Sequence, residues 1–446
     1  MNKRTSSLCL FLLGVGSATK IAFIGTVAIS ELFVFFIAPI VFLKQFPRMK
    51  REGFADFIYM MVFMMMGMFM SSAWNHTALP FVIKLFAVFY GMLAYYIVFY
   101  RLLHDNLNGL GIFFLGVAIS GIITIWFFNP RAIVSEGGFV QMGATDAEDI
   151  INGPLFWIGK ARDWGQLPIF MAYLKTPMIY SITTPLLFVA LAMLTTISGR
   201  AQSMCVLVAG ILMLIGQKSR LRMQKIGKHM ILFLIAGIMV LALYKAIYSY
   251  AAASGMLGEA ARSKYEHQTE AGSGMLSMLM AGRSEFFIGL IAAMDRPIMG
   301  FGPRAEDTQG YAQSYFMKYG TLDDVGSYLY TQKAYYDAGV RMVIPSHSHI
   351  IAGWQWCGLP GLIFFIWVLY RLWKHMKLYS GVIPQWFGYY ALAVPSMAWS
   401  IFFNPYGARW SLGLLMVCLA FSRSVSRGKM CLPLEMQLEA MKYDKK

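Results

Sequence analysis

The sequence predicts an all-α polytopic membrane protein, a single integral-membrane domain over residues 1–446 with about twelve transmembrane helices. Three observations predict this class. Hydrophobic residues make up 58% of the chain and charged residues only 13%, whereas soluble domains carry roughly 25% charged residues. Apolar runs long enough to cross a bilayer recur along the chain. Basic residues cluster in the short gaps between those runs, a pattern typical of cytoplasmic loops.

The formal net charge of +16 raises the alternative of a nucleic-acid partner. The distribution of charge argues against that partner, because the basic residues occupy short gaps that the positive-inside rule assigns to the cytoplasmic side. These residues are Lys44, Arg48, Lys50 and Arg51; Lys218, Arg220, Arg222, Lys225 and Lys228; Arg371, Lys374 and Lys377; and Arg423, Arg427 and Lys429.

Eleven apolar runs are suitable for spans. They cover residues 6–24, 28–43, 54–72, 79–100, 108–128, 178–198, 200–216, 229–250, 350–370, 385–402 and 407–422. The first resembles a signal peptide, but the spans that follow favour an uncleaved helix. Because the basic gaps must share one side, one crossing is missing before residue 217, and residues 154–176 are the best place for it. Lys160, Arg162 and Asp163 would then face protein or a water-filled cavity. The result is twelve crossings with both termini inside.

Two loops are predicted to face outward, a smaller one at 129–153 and a large one at 251–349. Ten of the 22 acidic residues lie in the large loop, between Glu259 and Asp337. Residues 284–294 have apolar positions at helical spacing, which predicts an amphipathic helix. Long structured loops between spans often carry function. The five cysteines form no evident disulfide framework or metal site.

Two arginines are candidate anion ligands at the outward side. Arg200 follows Ser198-Gly199 and opens a predicted span, where its guanidinium could join a helix N-terminus in binding phosphate. The alternative is an arginine whose side chain reaches the lipid headgroups. Arg283 precedes the amphipathic helix, and its spacing from Glu285 does not pair the two side chains on a helix. A partner elsewhere is therefore expected for Arg283.

A Gly/Pro turn, Pro297-Ile298-Met299-Gly300-Phe301-Gly302-Pro303-Arg304, follows that helix. No βαβ pattern surrounds its G-x-G, so a structural turn is favoured over a nucleotide-binding loop. Arg304 is a candidate residue of the same cavity. The acidic pairs Glu148-Asp149 and Asp323-Asp324 could hold a divalent cation, although a solvated loop is the default interpretation.

Two histidines, His347 and His349, close the large loop directly before the run at 350–370. Neutral imidazole can accept a proton from a hydroxyl group near pH 7. An ordinary surface histidine is the plainer alternative. Zinc binding by the H-x-H pair is a further one, but no third and fourth ligands stand out.

Together these residues resemble the O-antigen ligase and Wzy-type O-antigen and exopolysaccharide polymerase family of bacterial membrane glycosyltransferases. Three motifs carry the resemblance, in the family's order: Ser198-Gly199-Arg200; Arg283 followed by the turn Pro297–Gly302; and the helix start His347–Leu362. They cover about 200–362. The chain departs from the family at Ile350, where asparagine is usual. His349 aligns better than His347 with the family's histidine, and the choice between the two stays open.

The resemblance implies a GT-C-like fold in the bacterial inner membrane, multi-pass, with a long helical periplasmic loop and the site facing the periplasm. It implies an undecaprenyl-diphosphate-linked glycan as donor, a glycan or lipid A-core acceptor, inversion at the anomeric carbon, and no cofactor, nucleotide sugar or required metal. His349 or His347 would be catalytic, and Arg200, Arg283 and Arg304 would bind the donor diphosphate. Membrane lipids, a flippase and a chain-length regulator are the partners it suggests.

The turn Val343–Trp356 resembles that of exopolysaccharide polymerases, and this resemblance favours a polymerase of repeat units, with an O-antigen ligase as the alternative from the same family. A lipid-linked sugar transporter is the rival from another class, and it would need charged residues along a path through many spans. Here most predicted spans lack charge, apart from the sixth and Lys84, which disfavours transport. A membrane scaffold without activity is the remaining alternative.

Overall fold

The computed structural model of the chain is mostly helical. It describes residues 2–17, 20–22, 26–104, 106, 109–127, 246, 249–251, 253–256, 262, 265–266, 283–319, 328–329, 332–333, 337, 342–345, 348–379, 394–395 and 397–403. The described helices are α1 (Lys3–Val15), α2 (Ile29–Arg51), α3 (Ala55–Trp74), α4 (Leu79–Leu103), α5 (Gly109–Phe127), α6 (Ser284–Asp295), α7 (Tyr311–Tyr319), α8 (His349–Cys357) and α9 (Leu359–Tyr379). Residues 394–395 and 397–403 are also helical.

The first predicted span, 6–24, differs from the structure. Helix α1 has 13 residues, about 20 Å of helix, and a two-stranded antiparallel hairpin follows, β1 (Lys20–Ala22) with β2 (Thr26–Ala28). The helix ends where the Gly16 amide bonds Leu12 O and the Ser17 hydroxyl donates to Gly14 O. Hydropathy averaged over consecutive residues does not detect this local competition for backbone hydrogen bonds.

Three of the described helices are long and apolar enough to cross a membrane: α2, α3 and α4. They correspond to the predicted runs 28–43, 54–72 and 79–100, and the chain is therefore a membrane protein. Helix α2 continues through the basic gap to Arg51, because cations in a last turn are favoured by the helix dipole. Exposed apolar residues on α2, among them Phe33, Phe36, Ile40 and Leu43, repeat at helical spacing and form a lipid-facing stripe.

Helix α3 lies between α4 on one side and α8 with α9 on the other. Phe57 contacts Tyr96 of α4 (ring centroids 4.2 Å apart) and Phe364 of α9 (5.9 Å). Gly67 faces the junction of α8 and α9, where a Cβ on residue 67 would lie 2.6 Å from Cys357 O and 2.7 Å from Pro360 Cβ. The absence of a side chain at residue 67 is therefore what lets that junction approach α3.

Replacing Gly67 with leucine is expected to destabilise the protein by about 1–3 kcal/mol, because the nearest atom is a backbone carbonyl that cannot rotate away. The measurement is thermal unfolding in detergent. Met66→Leu is the matched control, since Met66 is 57% exposed and the substitution nearly conserves volume. Equal unfolding temperatures for the two variants would contradict the close packing at Gly67.

Charged residues meet at the end of the bundle where α3 begins. Arg371 of α9 donates to Asp56 of α3, and Glu52 accepts from Arg48 Nε (3.0 Å) and Tyr100 OH (2.8 Å). Two of the basic gaps that the sequence predicts on one side, 44–51 and 371–377, therefore lie at the same end of the bundle. We call it the basic end, and the opposite end, at the α3–α4 turn 75–78, the turn end.

The predicted span 350–370 is two helices rather than one. Helix α8 stops at Gly358, whose φ of +64° is a backbone conformation that favours glycine, and α9 begins at the next residue. Pro360 lies in the first turn of α9, where its missing N–H costs no helical bond. The break places α8 against α6 and leaves α9 beside α3.

The described part of the large loop packs on small cores of its own. Helix α6 confirms the predicted helix at 284–294, but its apolar positions divide between surfaces. Phe286 and Leu290 contact the core of the bundle, and Phe287 packs on a separate cluster around Tyr315. Ile291 and Met294 remain exposed. Residues 305–307 pair with 342–344 through Asp307 N to Met342 O (2.9 Å) and Ile344 N to Ala305 O (2.9 Å).

Candidate functional site

Arg283 directly precedes helix α6 as its N-cap residue and lies on an aromatic surface. Its guanidinium carbon is 5.4 Å from the ring centroid of Trp399 and 5.3 Å from that of Phe403, and Phe286, one turn into α6, contacts Phe403 as well. These contacts come from residues outside the large loop. Contact with aromatic rings through cation–π interactions stabilises a guanidinium, and a guanidinium is the side chain best suited to binding phosphate or carboxylate through two parallel bonds.

The turn at 297–302 lies directly against the junction of α8 and α9. Phe301 N donates to Gln355 O (2.6 Å), Leu359 N donates to Ile298 O (3.0 Å), and Trp354 Nε1 donates to Pro297 O (2.8 Å). Gly300 has a φ of +67°, and a Cβ there would overlap Gln355 O. The sequence interpretation of a structural turn is consistent with these contacts, and they bring together two motifs about fifty residues apart.

Helices α6 and α8 are joined by a buried hydrogen bond. Gln355 is 1% exposed, and its Nε2 donates to Gly289 O at 3.0 Å. A Cβ at Gly289 would lie 2.8 Å from Pro345 O, so the segment before the histidines also crosses α6 closely. The helix that carries Arg283 and the helix that carries His349 thus form one packed unit.

His349 is the first residue of α8 and is 1% exposed. Its ring stacks on Phe365 with centroids 6.3 Å apart. Burial lowers the pKa of His349 to about 3, so the imidazole is neutral at pH 7. The residue before it, Ser348, caps α8 by accepting from Ile351 N (3.3 Å) and donates to Ile401 O (3.1 Å).

The helical segment 397–403 connects the arginine and the histidine. Arg283 covers Trp399 and Phe403 of this segment, and Ser348, adjacent to His349, bonds the carbonyl of Ile401 between them. Arg283 and the residue directly before His349 therefore contact one short stretch of helix. Arg200 and His347, the other half of each candidate pair, lie outside the described residues, as do the predicted sixth span and both acidic pairs.

Arg304 lies at the opposite end of α6 from Arg283. It is exposed, has a φ of +54°, and its guanidinium carbon is 5.7 Å from the ring centroid of Phe81 in the first turn of α4. Helix α6 has 12 residues, about 18 Å of helix, between the arginine at its start and the turn that leads to Arg304. The structure thus places Arg304 at the turn end of the bundle, on α4, rather than on the 397–403 segment.

Asn75 is a structural residue that sequence reasoning missed. It matches a glycosylation sequon with Thr77, but its amide nitrogen donates to Ser71 O (2.8 Å) and Gly300 O (3.2 Å), and its amide oxygen accepts from Arg296 Nη1 (2.8 Å). It ties the α3–α4 turn to the 297–302 turn. The signal in the sequence is a polar residue, Asn75, directly after a predicted span. Its partners Gly300 and Arg296 could not be predicted, because they lie about 220 residues further along the chain.

Acid is expected to destabilise the protein through His349. Its folded-state pKa of about 3 lies below the ordinary value of about 6.5, so between these values the unfolded chain binds the additional proton and stability falls as pH falls. From pH 7 to pH 5 the loss is about 2 kcal/mol. Unfolding temperatures across this range measure it, with His349→Gln as the comparison. If both proteins lose stability equally, the imidazole is not the group that titrates.

Comparisons of this chain with protein-family models, with curated proteins and with solved structures find no match.

Proposed function

We propose that the protein is an inverting glycosyltransferase that uses an undecaprenyl-diphosphate-linked glycan as donor and polymerises O-antigen or exopolysaccharide repeat units at the periplasmic face of the bacterial inner membrane. The observation that supports it most is the packing of the second and third motifs into one unit. Helix α6 behind Arg283, the turn 297–302 and the helix start at His349 contact each other through backbone and buried side chains, beside a membrane-spanning bundle.

In this proposal the arginines bind the charge that develops on the leaving diphosphate. Arg283, seated on Trp399 and Phe403 at the start of α6, offers a guanidinium together with a helix N-terminus, both suited to a phosphate. Arg200 is proposed as the second ligand. Arg304, beside Phe81 at the turn end, lies at the other end of α6 from Arg283 and is proposed to contact another part of the lipid-linked donor instead of the same diphosphate. Donors aimed at a developing charge typically contribute about 3–4 kcal/mol each to the transition state.

His349 is proposed as the base that deprotonates the acceptor hydroxyl. Attack by that oxygen on the anomeric carbon forms the new glycosidic bond, the bond to the diphosphate breaks on the opposite face, and the configuration inverts. The proton passes to the neutral imidazole. Diphosphate is a good leaving group, so the mechanism includes no general acid.

The low pKa of His349 in the ligand-free site gives the donor a second role. An imidazole with a pKa of about 3 is a weak base, and a neighbouring diphosphate stabilises the imidazolium and raises that pKa. The base would therefore gain strength only when the donor is bound, which would restrict proton abstraction to the occupied site.

The test is an assay of purified protein in lipid nanodiscs with an undecaprenyl-diphosphate-linked oligosaccharide. The proposal expects glycans of two or more repeat units and release of undecaprenyl diphosphate. Addition of lipid A-core distinguishes the alternative, since an O-antigen ligase would transfer the glycan to it. In proteoliposomes, movement of the lipid-linked sugar across the bilayer without any new glycosidic linkage would contradict the enzyme and support a transporter.

A further inference from the structure

The second half of α6 and the turn after it present an apolar surface outside the described membrane-crossing helices. Ile291 and Met294, at i, i+3 spacing on one side of α6, are 45% and 63% exposed, and Ile298, in the turn after the helix, is 68% exposed. The buried residues of α6, including Ile288 and Ala292, lie on the other. Water-exposed helices normally carry polar residues on this side, so the interfacial stripe, as we name Ile291, Met294 and Ile298, needs an apolar neighbour.

The level of this stripe relative to the bilayer follows from two contacts. Ile298 O accepts from Leu359 N, the first residue of α9, and Leu359, Ile363 and Ile366 form an exposed apolar stripe on that helix. The turn that carries Ile298 therefore lies at the start of α9, the level at which the exposed apolar stripe of that helix begins.

On the other side, the same turn adjoins the end of a membrane-crossing helix. Gly300 O accepts from Asn75, directly after Trp74 at the end of α3, and Trp74 and Leu79 are both 68% exposed. Since α3 and α4 cross the bilayer and are joined by the turn 75–78, residues bonded to that turn lie at the boundary between hydrocarbon and water. Tryptophan is favoured at this depth.

Basic charge borders the stripe on its polar side. Arg296 is exposed, donates to Asn75 and covers the Phe301 ring at 4.6 Å, while its neighbour Asp295 accepts from Tyr311 OH (2.5 Å) on α7. An arginine next to apolar residues at a membrane boundary can place its charged group at the level of the lipid phosphates while its aliphatic stem covers apolar surface.

We propose that the C-terminal end of α6 and the turn after it contact lipid at the turn end, where the Met294 and Ile298 side chains enter the bilayer and Arg296 lies at the level of the lipid phosphates. The occupant of the exposed stripe is lipid. This anchoring sets the height of the helix that follows Arg283, and it stands independently of the proposed enzymatic activity.

The test places a bimane fluorophore on cysteines introduced at Met294 and at Ile298 in the full-length protein in nanodiscs. Ile363→Cys serves as the membrane reference and Gln313→Cys, an exposed polar position on α7, as the polar comparison. Labelling of the parent protein, without an added cysteine, is subtracted. The proposal expects at least half the quenching seen at residue 363 from lipids with a nitroxide near the headgroup, and protection from iodide relative to residue 313.

Two outcomes would overturn the proposal. Iodide quenching at 294 and 298 equal to that at 313 would place the stripe in water. Protection from both iodide and nitroxide lipids would mean that protein, such as a second copy of the chain, covers it. Both labelled variants replace exposed side chains, and unfolding temperatures equal to that of the parent confirm that they remain folded.

Discussion

Replacing Arg283 with alanine is expected to lower the rate of glycan transfer by about 100- to 1000-fold, the usual loss when one donor aimed at a developing negative charge is removed. Arg283→Lys keeps the charge but loses the planar fork that bonds two oxygens at once, so we expect it to recover only part of the rate. The measurement is the initial rate of product formation from the lipid-linked donor in nanodiscs.

The structure supplies a matched control for Arg283. Arg262 belongs to the same loop, is about half exposed and pairs with Glu266 at 2.9 Å, a surface pair of the kind that contributes little. Arg262→Ala should retain the rate of the unaltered protein. The loss of contacts with Trp399 and Phe403 in Arg283→Ala should cost only about 1–2 kcal/mol of stability. A folded Arg283→Ala protein with an unaltered rate would remove Arg283 from the site.

His349→Ala is the second large effect, and we expect it to abolish detectable chain growth. Without an imidazole at the start of α8, the acceptor hydroxyl has no base, and general-base catalysis typically contributes about 100- to 10,000-fold. The readout is the length distribution of the glycan product. His349→Gln tests the role separately from packing, because its side chain is of similar size and polar but does not accept a proton at neutral pH.

Two other histidines complete this experiment. His76 is exposed in the α3–α4 turn, and His76→Ala should be as active as the unaltered protein. His347→Ala decides between the two candidates that the sequence left open. Loss of activity in His347→Ala, with retention in His349→Ala, would move the role of base to His347 and leave His349 as a buried packing residue beside Phe365.

Helix boundaries that depend on local composition were predicted well. The apolar runs 54–72 and 79–100 correspond to α3 and α4, and the spacing over 284–294 corresponds to α6. These predictions succeeded because apolar content and helical periodicity are properties of consecutive residues. The first span failed for the complementary reason, since its end depends on hydrogen bonds around Gly16 and Ser17 that average hydropathy does not register.

The candidate site was predicted as residue types rather than as an arrangement. Arg283 and His349 were selected because guanidinium and imidazole suit phosphate binding and proton transfer. Their contacts with Trp399, Phe403 and Phe365 could not be predicted from sequence spacing, because these aromatic residues lie on other helices than the residues they contact. The burial of His349 could not be predicted from the sequence either. That burial decides the pKa of His349, because the proton affinity of a titratable group depends on its surroundings.

By itself the sequence determined that this protein belongs in a membrane, where several of its helices begin and end, and which side chains could carry chemistry. The tertiary structure alone decided that the helix after His349 breaks at Gly358, that Asn75 ties the α3–α4 turn to Gly300, and that Met294 and Ile298 stay uncovered. The physical reason is that periodicity specifies that a helix has an apolar face, but which neighbour covers that face depends on close contacts between residues far apart in the chain.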